Sequence, residues 1–159
     1  EETAEIAFRA AMTGHLVLST LHTNDAVSTI TRLVDIGIPR YIIASTVIGI
    51  LSQRLVRRLC PACKKTGEDN SYLPQGCYLC NRTGYHGRVG VFEVFTITPE
   101  IREMIVSGGP EEVIKMAAKN QGMGGLLDDA FDKVKKGVTT PEEVMRVTVR
   151  DEDEPSEKS

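Results

Sequence analysis

Two CxxC pairs, Cys60-Pro-Ala-Cys63 and Cys77-Tyr-Leu-Cys80, account for every cysteine in the chain. Each pair presents two thiolates from one tight turn, and two such turns can complete a tetrahedron around Zn²⁺. Arg57, Arg58, Lys64 and Lys65 flank the pairs and offset the negative charge of a four-thiolate site. With four protein ligands no position stays open for water, so the expected role of the metal is structural. Disulfides are the plain alternative, disfavoured because nothing indicates export and cytosolic thiols stay reduced. A redox role would need one CxxC at a helix start rather than two matched pairs. Iron–sulfur clusters also use four cysteines, and that alternative stays open on sequence alone.

The second chemistry-bearing stretch is Thr13 to Ala26, TGHLVLSTLHTNDA. The apolar run Leu16-Val17-Leu18 ends in a polar cluster of Ser19, Thr20, His22, Thr23, Asn24 and Asp25, and helical spacing resumes at Ala26. The pattern predicts a buried strand over Leu16–Leu21 that delivers polar groups to its carboxyl end. Open α/β sheets bind ligands at that end, and a following helix N-terminus favours anions. His15 and His22 stand seven positions apart, an odd number. On one strand they would face opposite sides of the sheet and lie roughly 20 Å apart at about 3.3 Å per residue. His22, beside Thr20, Thr23 and Asn24, is therefore the candidate for a phosphate. His15 belongs nearer a packing surface or subunit boundary. Thr20, Thr23 and Asn24 are weaker candidates that read first as turn or capping groups.

The elements that must hold these groups are legible from periodicity and punctuation. Residues 2–12 read as a helix stopped by Gly14. Residues 25–36 read as a helix capped by Asn24 or Asp25 and ended by Gly37, with Pro39 preventing continuation. A helix over 40–51 follows, then a strand over 54–59. Residues 60–87 are loop-rich, and Arg88–Ile97, RVGVFEVFTI, reads as a strand. Thr98-Pro99 opens a helical region broken at Gly108-Gly109-Pro110 and at 122–125. Helix 126–136 is expected to bury Leu127, Ala130, Phe131 and Val134. Thr140-Pro141-Glu142-Glu143 has capping-box spacing with proline at the first helical position.

Composition bounds the rest. With 159 residues and 41% apolar content the chain can form one or two packed domains. The formal charge of −3 is an average: the tail from Asp151 holds five acids and one lysine, and reads as solvated and disordered. The near-neutral remainder argues against a general nucleic-acid binder. Arg54, Arg57, Arg58, Lys64 and Lys65 form a basic run whose default reading is a solvated face or zinc-site neighbour, and whose sharper readings are a subunit contact or an anionic lipid surface. No aromatic residue interleaves them for base stacking. No run approaches the roughly 18 apolar residues of a spanning helix, and no signal peptide is visible. The chain opens on Glu1-Glu2-Thr3 without an initiator methionine, as an excised portion of a longer protein does.

Several motifs in order give this chain a family likeness. Glu2-Thr3-Ala4, the box ending in His22, Gln53-Arg54-Leu55-Val56-Arg57-Arg58-Leu59-Cys60-Pro61, the second cysteine pair and Gly84-Tyr85-His86-Gly87-Arg88 together resemble the type II secretion and type IV pilus assembly ATPases. The resemblance covers most of residues 2–97, with weaker support to about 148. It implies an α/β fold: the C-terminal part of a RecA-like P-loop NTPase domain with a tetracysteine zinc-binding excursion and a C-terminal helical subdomain. On that reading 1–59 is the rear of the ATPase domain with its His box, and 60–87 is the zinc region. Residues 88–97 are a strand returning to the core, 98–150 the helical subdomain and 151–159 the acidic tail.

The resemblance further implies a hexameric motor that couples ATP hydrolysis, with Mg²⁺, to type II secretion or type IV pilus assembly. It implies His22 as a γ-phosphate sensor, with His15 a weaker candidate. Thr20, Thr23, Asn24 and Arg88 become candidate nucleotide contacts, although Arg88 by itself reads first as a turn arginine. The implied partners are an inner-membrane platform protein and recruiting proteins, at the cytoplasmic face of the inner membrane, with no nucleic acid. The zinc pairs favour assembly over retraction. No G-x-x-x-x-G-K-[ST] loop occurs, and Gly122-Met123-Gly124-Gly125 is followed by leucine. This chain alone is therefore expected to be inactive as an ATPase. The competing reading is a non-enzymatic zinc-binding interaction module, which tight, salt-sensitive nucleic-acid binding would favour.

Overall fold

A computed structural model describes residues 2–23, 25–67 and 71–148. Asn24 and the acidic segment 151–159 lie outside the described residues. The chain divides into two compact units that are each discontinuous in sequence: Glu1–Ser52 with Glu93–Gly124, and Gln53–Phe92 with Gly125–Ser159. Two of the three borders fall inside the long strands β1 (Gly49–Leu59) and β4 (Tyr85–Thr96), which pair with each other; the third lies just before Gly125. Ile97 N–H donates to Ile48 C=O beyond one end and Cys60 N–H to Gly84 C=O beyond the other, so the pair is antiparallel.

The first unit holds α1 (Glu2–Met12), α2 (Ser28–Asp35), α3 (Arg40–Thr46), α4 (Pro99–Val106) and α5 (Glu111–Asn120). Its core includes Ile30, Ile43, Phe95, Ile101 and Ile105, with Phe8 of α1 half-buried against it. Gly37 ends α2 at φ +94°, and Ile38 N–H reaches back to Leu33 C=O, the closure that glycine at C′ permits. Thr98 caps α4 by accepting from Ile101 N–H, with Pro99 at the first helical position.

Three expectations are corrected in this unit. Leu16–Leu21 is not a buried strand: Leu16 is 77% and Leu18 88% exposed, and among the described residues no strand pairs with the segment. An apolar run becomes a strand only where a neighbouring chain takes its backbone groups. Helix α2 begins at Ser28 rather than at 25, because the Asp25 carboxylate accepts from Ser28 N–H at 2.8 Å and holds the preceding turn. Helix α3 stops at Thr46, not 51: the Ser45 and Thr46 hydroxyls donate to Ile42 C=O, and Val47 is already extended.

The second unit holds the rest of β1 and β4, the short strands β2 (Lys65–Thr66) and β3 (Tyr72–Leu73), α6 (Leu126–Lys135) and α7 (Pro141–Thr148). β2 and β3 pair antiparallel, with Lys65 opposite Leu73 and Thr66 opposite Tyr72. Val56, Val91, Ala130 and Val144 are its buried centre, with Leu126 and Val134 packed against them. The buried face of α6 is thus Leu126, Ala130 and Val134; Leu127 and Phe131, expected inside, are exposed. The capping box at α7 is half made. Glu143 N–H donates to Thr140 Oγ1, while the Glu143 side chain turns to the arginines described below.

Candidate functional site

The four cysteines converge from two separate turns. Their sulfurs all lie within 4.8 Å of one another. Cys60 Sγ is 3.8 Å from Cys77 Sγ, and Cys63 and Cys77 are each 3.7 Å from Cys80 Sγ. A disulfide needs about 2.0 Å, whereas sulfurs about 2.3 Å from one central ion at tetrahedral angles stand about 3.8 Å apart. The donor set therefore fits a single thiophilic ion such as Zn²⁺.

Local backbone builds the second turn. Residues Tyr78–Cys80 form a single 3₁₀ turn, and Asn81 and Arg82 continue it in the left-handed region. Cys77 N–H and Gly84 N–H both point at Cys80 Sγ, at 3.1 and 3.3 Å. Burial alone would push the Cys80 thiol up, but these amides outweigh it and bring it down to about 6. Cys63 goes the other way. Burial and the neighbouring thiols push it up to about 12 against an opposing Gly76 amide. The amides facing Cys80 thus favour its thiolate, whereas the surroundings of Cys63 favour its thiol. Gly76 and Gly84 have positive φ, and a Cβ on either would collide with Arg82 C=O or Pro74 Cβ at 2.5 and 2.4 Å.

Two of the flanking cations are engaged by other partners. Lys64 Nζ donates to Gly137 C=O at 2.8 Å and stands over the Tyr72 ring. Arg57 stacks on the Tyr85 ring at 4.2 Å and donates to Glu143, both from its guanidinium and from its backbone N–H. Arg146 joins the same carboxylate at 3.0 Å. Glu143 is 1% exposed. Burial would raise its carboxyl, but the two arginines and the backbone donor hold it down at about 2.

In the first unit, His15, Thr20 and His22 are exposed. His15 Nδ1 lies 2.9 Å from Thr13 Oγ1. Thr23 is half-buried, with its hydroxyl 2.9 Å from Thr29 Oγ1. Arg88, in the second unit, is an exposed residue of β4. Beyond His22 the turn is fixed by acids: Asp25 pairs with Lys115 Nζ at 2.6 Å, and Glu93, 6% exposed, accepts from Ala26 N–H at 2.9 Å. The carboxylates of Asp25 and Glu93 thus occupy the start of α2, where a bound anion was expected. Glu93 and Glu143 were missed on sequence. The signal for Glu93 was present: in β4 it alternates in phase with Val91 and Phe95, which are buried.

Comparison with known proteins places these features in a family. The family model described as "Type II/IV secretion system protein" matches residues 1–146. The chain is 50% identical over 147 residues to the type II secretion system protein HxcR of Pseudomonas aeruginosa, covering 92% of this chain and 31% of that protein. It is 42% identical to the type II secretion system ATPase E of Vibrio cholerae, over 92% of this chain and 32% of the relative. It is 41% identical to the type IV pilus assembly ATPase PilB of Myxococcus xanthus, over 94% and 30%. It spans about a third of the length of these relatives.

Among solved structures, the pilus retraction motor PilT with bound ADP aligns with a TM-score of 0.64 at 29% identity, over 99% of this chain and 38% of that one. The Legionella pneumophila ATPase DotB aligns at 0.63 and 25% identity, over 94% and 36%. The fold is α/β, similar to these ATPases. By sequence over nearly its whole length, this chain belongs to the Type II/IV secretion system protein family.

Proposed function

We propose that this chain is the rear portion of a motor ATPase that drives type II protein secretion or type IV pilus assembly. The observation that carries the reading is the run of identity, 50% and 42% over 92% of the chain, to secretion proteins of which one is named an ATPase. Residues 1–59 would supply the back of the nucleotide-binding domain, 60–87 a zinc-stapled excursion, 88–97 a returning strand and 98–150 a helical subdomain. The parent would bind ATP and Mg²⁺ largely through residues outside this chain, since no phosphate-binding loop occurs in it. His22 would meet the γ-phosphate, with Thr20, Thr23, Asn24 and Arg88 as lesser contacts and His15 in a supporting place.

Cys60, Cys63, Cys77 and Cys80 would hold one Zn²⁺, whose contribution is structural: a tetrahedral cross-link of a loop-rich segment. The motor would work as a homo-hexamer on the cytoplasmic side of the inner membrane, against a platform protein and recruiting proteins. Among the described residues no helix is long and apolar enough to cross a membrane. The test is Mg²⁺-dependent ATP hydrolysis and nucleotide-dependent ring formation by the full-length parent, beside this chain alone. Turnover by the parent and none by the chain is the expected result. Turnover by the chain alone, or a parent that neither hydrolyses ATP nor assembles, would overturn the reading.

A further inference from the structure

Thr23, Asp25 and Ala26, close after His22, are each held by hydrogen bonds. Thr23 is tied to Thr29 through their hydroxyls at 2.9 Å. Asp25 accepts from Ser28 N–H through one oxygen and from Lys115 of α5 through the other. Ala26, 1% exposed, donates its N–H to Glu93 of β4, a residue 67 positions away. Helices leave their first N–H groups without intrahelical partners, and a local Ser, Thr, Asn or Asp ordinarily takes one of them. Asp25 already does so here. A second carboxylate, brought from a distant strand and buried, carries a desolvation cost that a local cap avoids. Lys115 lies within the electrostatic reach of both acids, and Asp25 and then Glu93 hold its ammonium in the charged form. The result is a fixed turn rather than merely a capped helix.

We propose that Glu93, assisted by Lys115, is the positioning residue of the box: it anchors the Ala26 backbone at the entry to α2, and that anchor gives the His22 imidazole one approach to the nucleotide. This rests on the reading that His22 meets nucleotide in the parent motor. Glu93 acts through His22 and touches no reacting atom. Misplacement of a catalytic group by about 1 Å can lower turnover a hundredfold, so loosening this turn acts on kcat. It leaves KM for MgATP nearly unchanged, because the nucleotide is held mostly by other parts of the parent.

The experiment is a double-mutant cycle in the full-length parent. Glu93→Ala should lower kcat about tenfold or more with KM within about twofold. Glu93→Gln keeps an oxygen that can accept from Ala26 N–H and should recover most of the turnover. In a His22→Ala background, Glu93→Ala should produce little further loss, because both changes remove one function. Lys115→Ala, on a partly exposed side chain, gives the same cycle if Glu93→Ala does not fold, with a smaller loss that also disappears beside His22→Ala. Losses that add, or wild-type turnover in Glu93→Ala while His22→Ala is impaired, overturn the positioning role alone. Wild-type turnover in His22→Ala overturns the reading of the box, and this proposal with it.

Discussion

Arg57 holds Glu143 twice: its backbone N–H donates to Oε2 at 3.0 Å and its guanidinium to Oε1 at 2.5 Å, across 86 positions of sequence. The carboxylate is buried, while the two arginines that meet it are nearly half exposed. Its folded-state pKa, held at about 2, lies below the ordinary 4.5. A depressed carboxyl contributes stability that is fully present above the unfolded value and disappears as pH falls through the folded one. The window is therefore about pH 4.5 down to about 2. At pH 7 we expect Glu143→Gln to destabilise the second unit by about 2 kcal/mol, the range for hydrogen bonds to a charged group moderated by the exposed arginines. The difference in urea midpoint between wild type and Glu143→Gln should shrink across that window. A difference that does not change with pH would show that the charge of Glu143 contributes nothing.

The glycines of the cysteine region separate backbone strain from collision. Gly84 and Gly87 both have positive φ, at +79° and +74°. A Cβ on Gly84 would stand 2.4 Å from Pro74 Cβ, whereas one on Gly87 meets nothing within 4 Å. Gly87→Ala should cost about 1 kcal/mol, the left-handed backbone penalty alone. Gly84→Ala should cost several kcal/mol, because Pro74 must move and the Gly84 amide that points at Cys80 Sγ moves with it. Thermal unfolding of the two variants checks this, and equal losses would contradict the close approach to Pro74.

Metal analysis of freshly purified, unchelated protein should give about one zinc per chain, and Cys63→Ser or Cys80→Ser should abolish stoichiometric binding. Chelation should raise amide exchange in β2, β3 and the 3₁₀ turn Tyr78–Cys80, whose short elements have little core of their own. It should leave α4 and α5, in the other unit, at their native protection. Substoichiometric zinc in the native protein, or iron in its place, would refute the zinc assignment.

What could be read from the sequence was what is decided locally. Two CxxC turns carry their ligand geometry within four residues each, so the cysteine cluster was legible without any knowledge of the fold. Gly37 before Pro39, and Thr98 before Pro99, stop and start helices for reasons contained in one turn. The run Leu16–Leu21 failed because burial of a strand depends on which chain lies beside it, and among the described residues none does. Glu143 looked like half of a capping box; of its two arginine partners Arg146 stands three residues on along α7, whereas Arg57 lies a whole excursion away and no local pattern names it. Glu93 lay between, since its place in the alternation of β4 marks it as an acid on the buried face while its partner Ala26 stays invisible.

The two histidines offer the sharpest test of the motor reading, because their surroundings differ. His15 follows Gly14 at the end of α1, and its ring is occupied by the neighbouring Thr13 hydroxyl. His22 precedes the turn that Thr29, Lys115 and Glu93 hold in place. An imidazole N–H can stabilise the charge that develops on a transferring phosphoryl group only if it is aimed there beforehand. His22→Ala in the full-length parent should therefore lower kcat about tenfold or more. His15→Ala should stay within about threefold, the scale of one lost exposed hydrogen bond. Steady-state ATP hydrolysis measured side by side decides between them. Two near-wild-type rates would remove His22 from the chemistry, and a larger loss at His15 would put the sensing group at the other end of the segment.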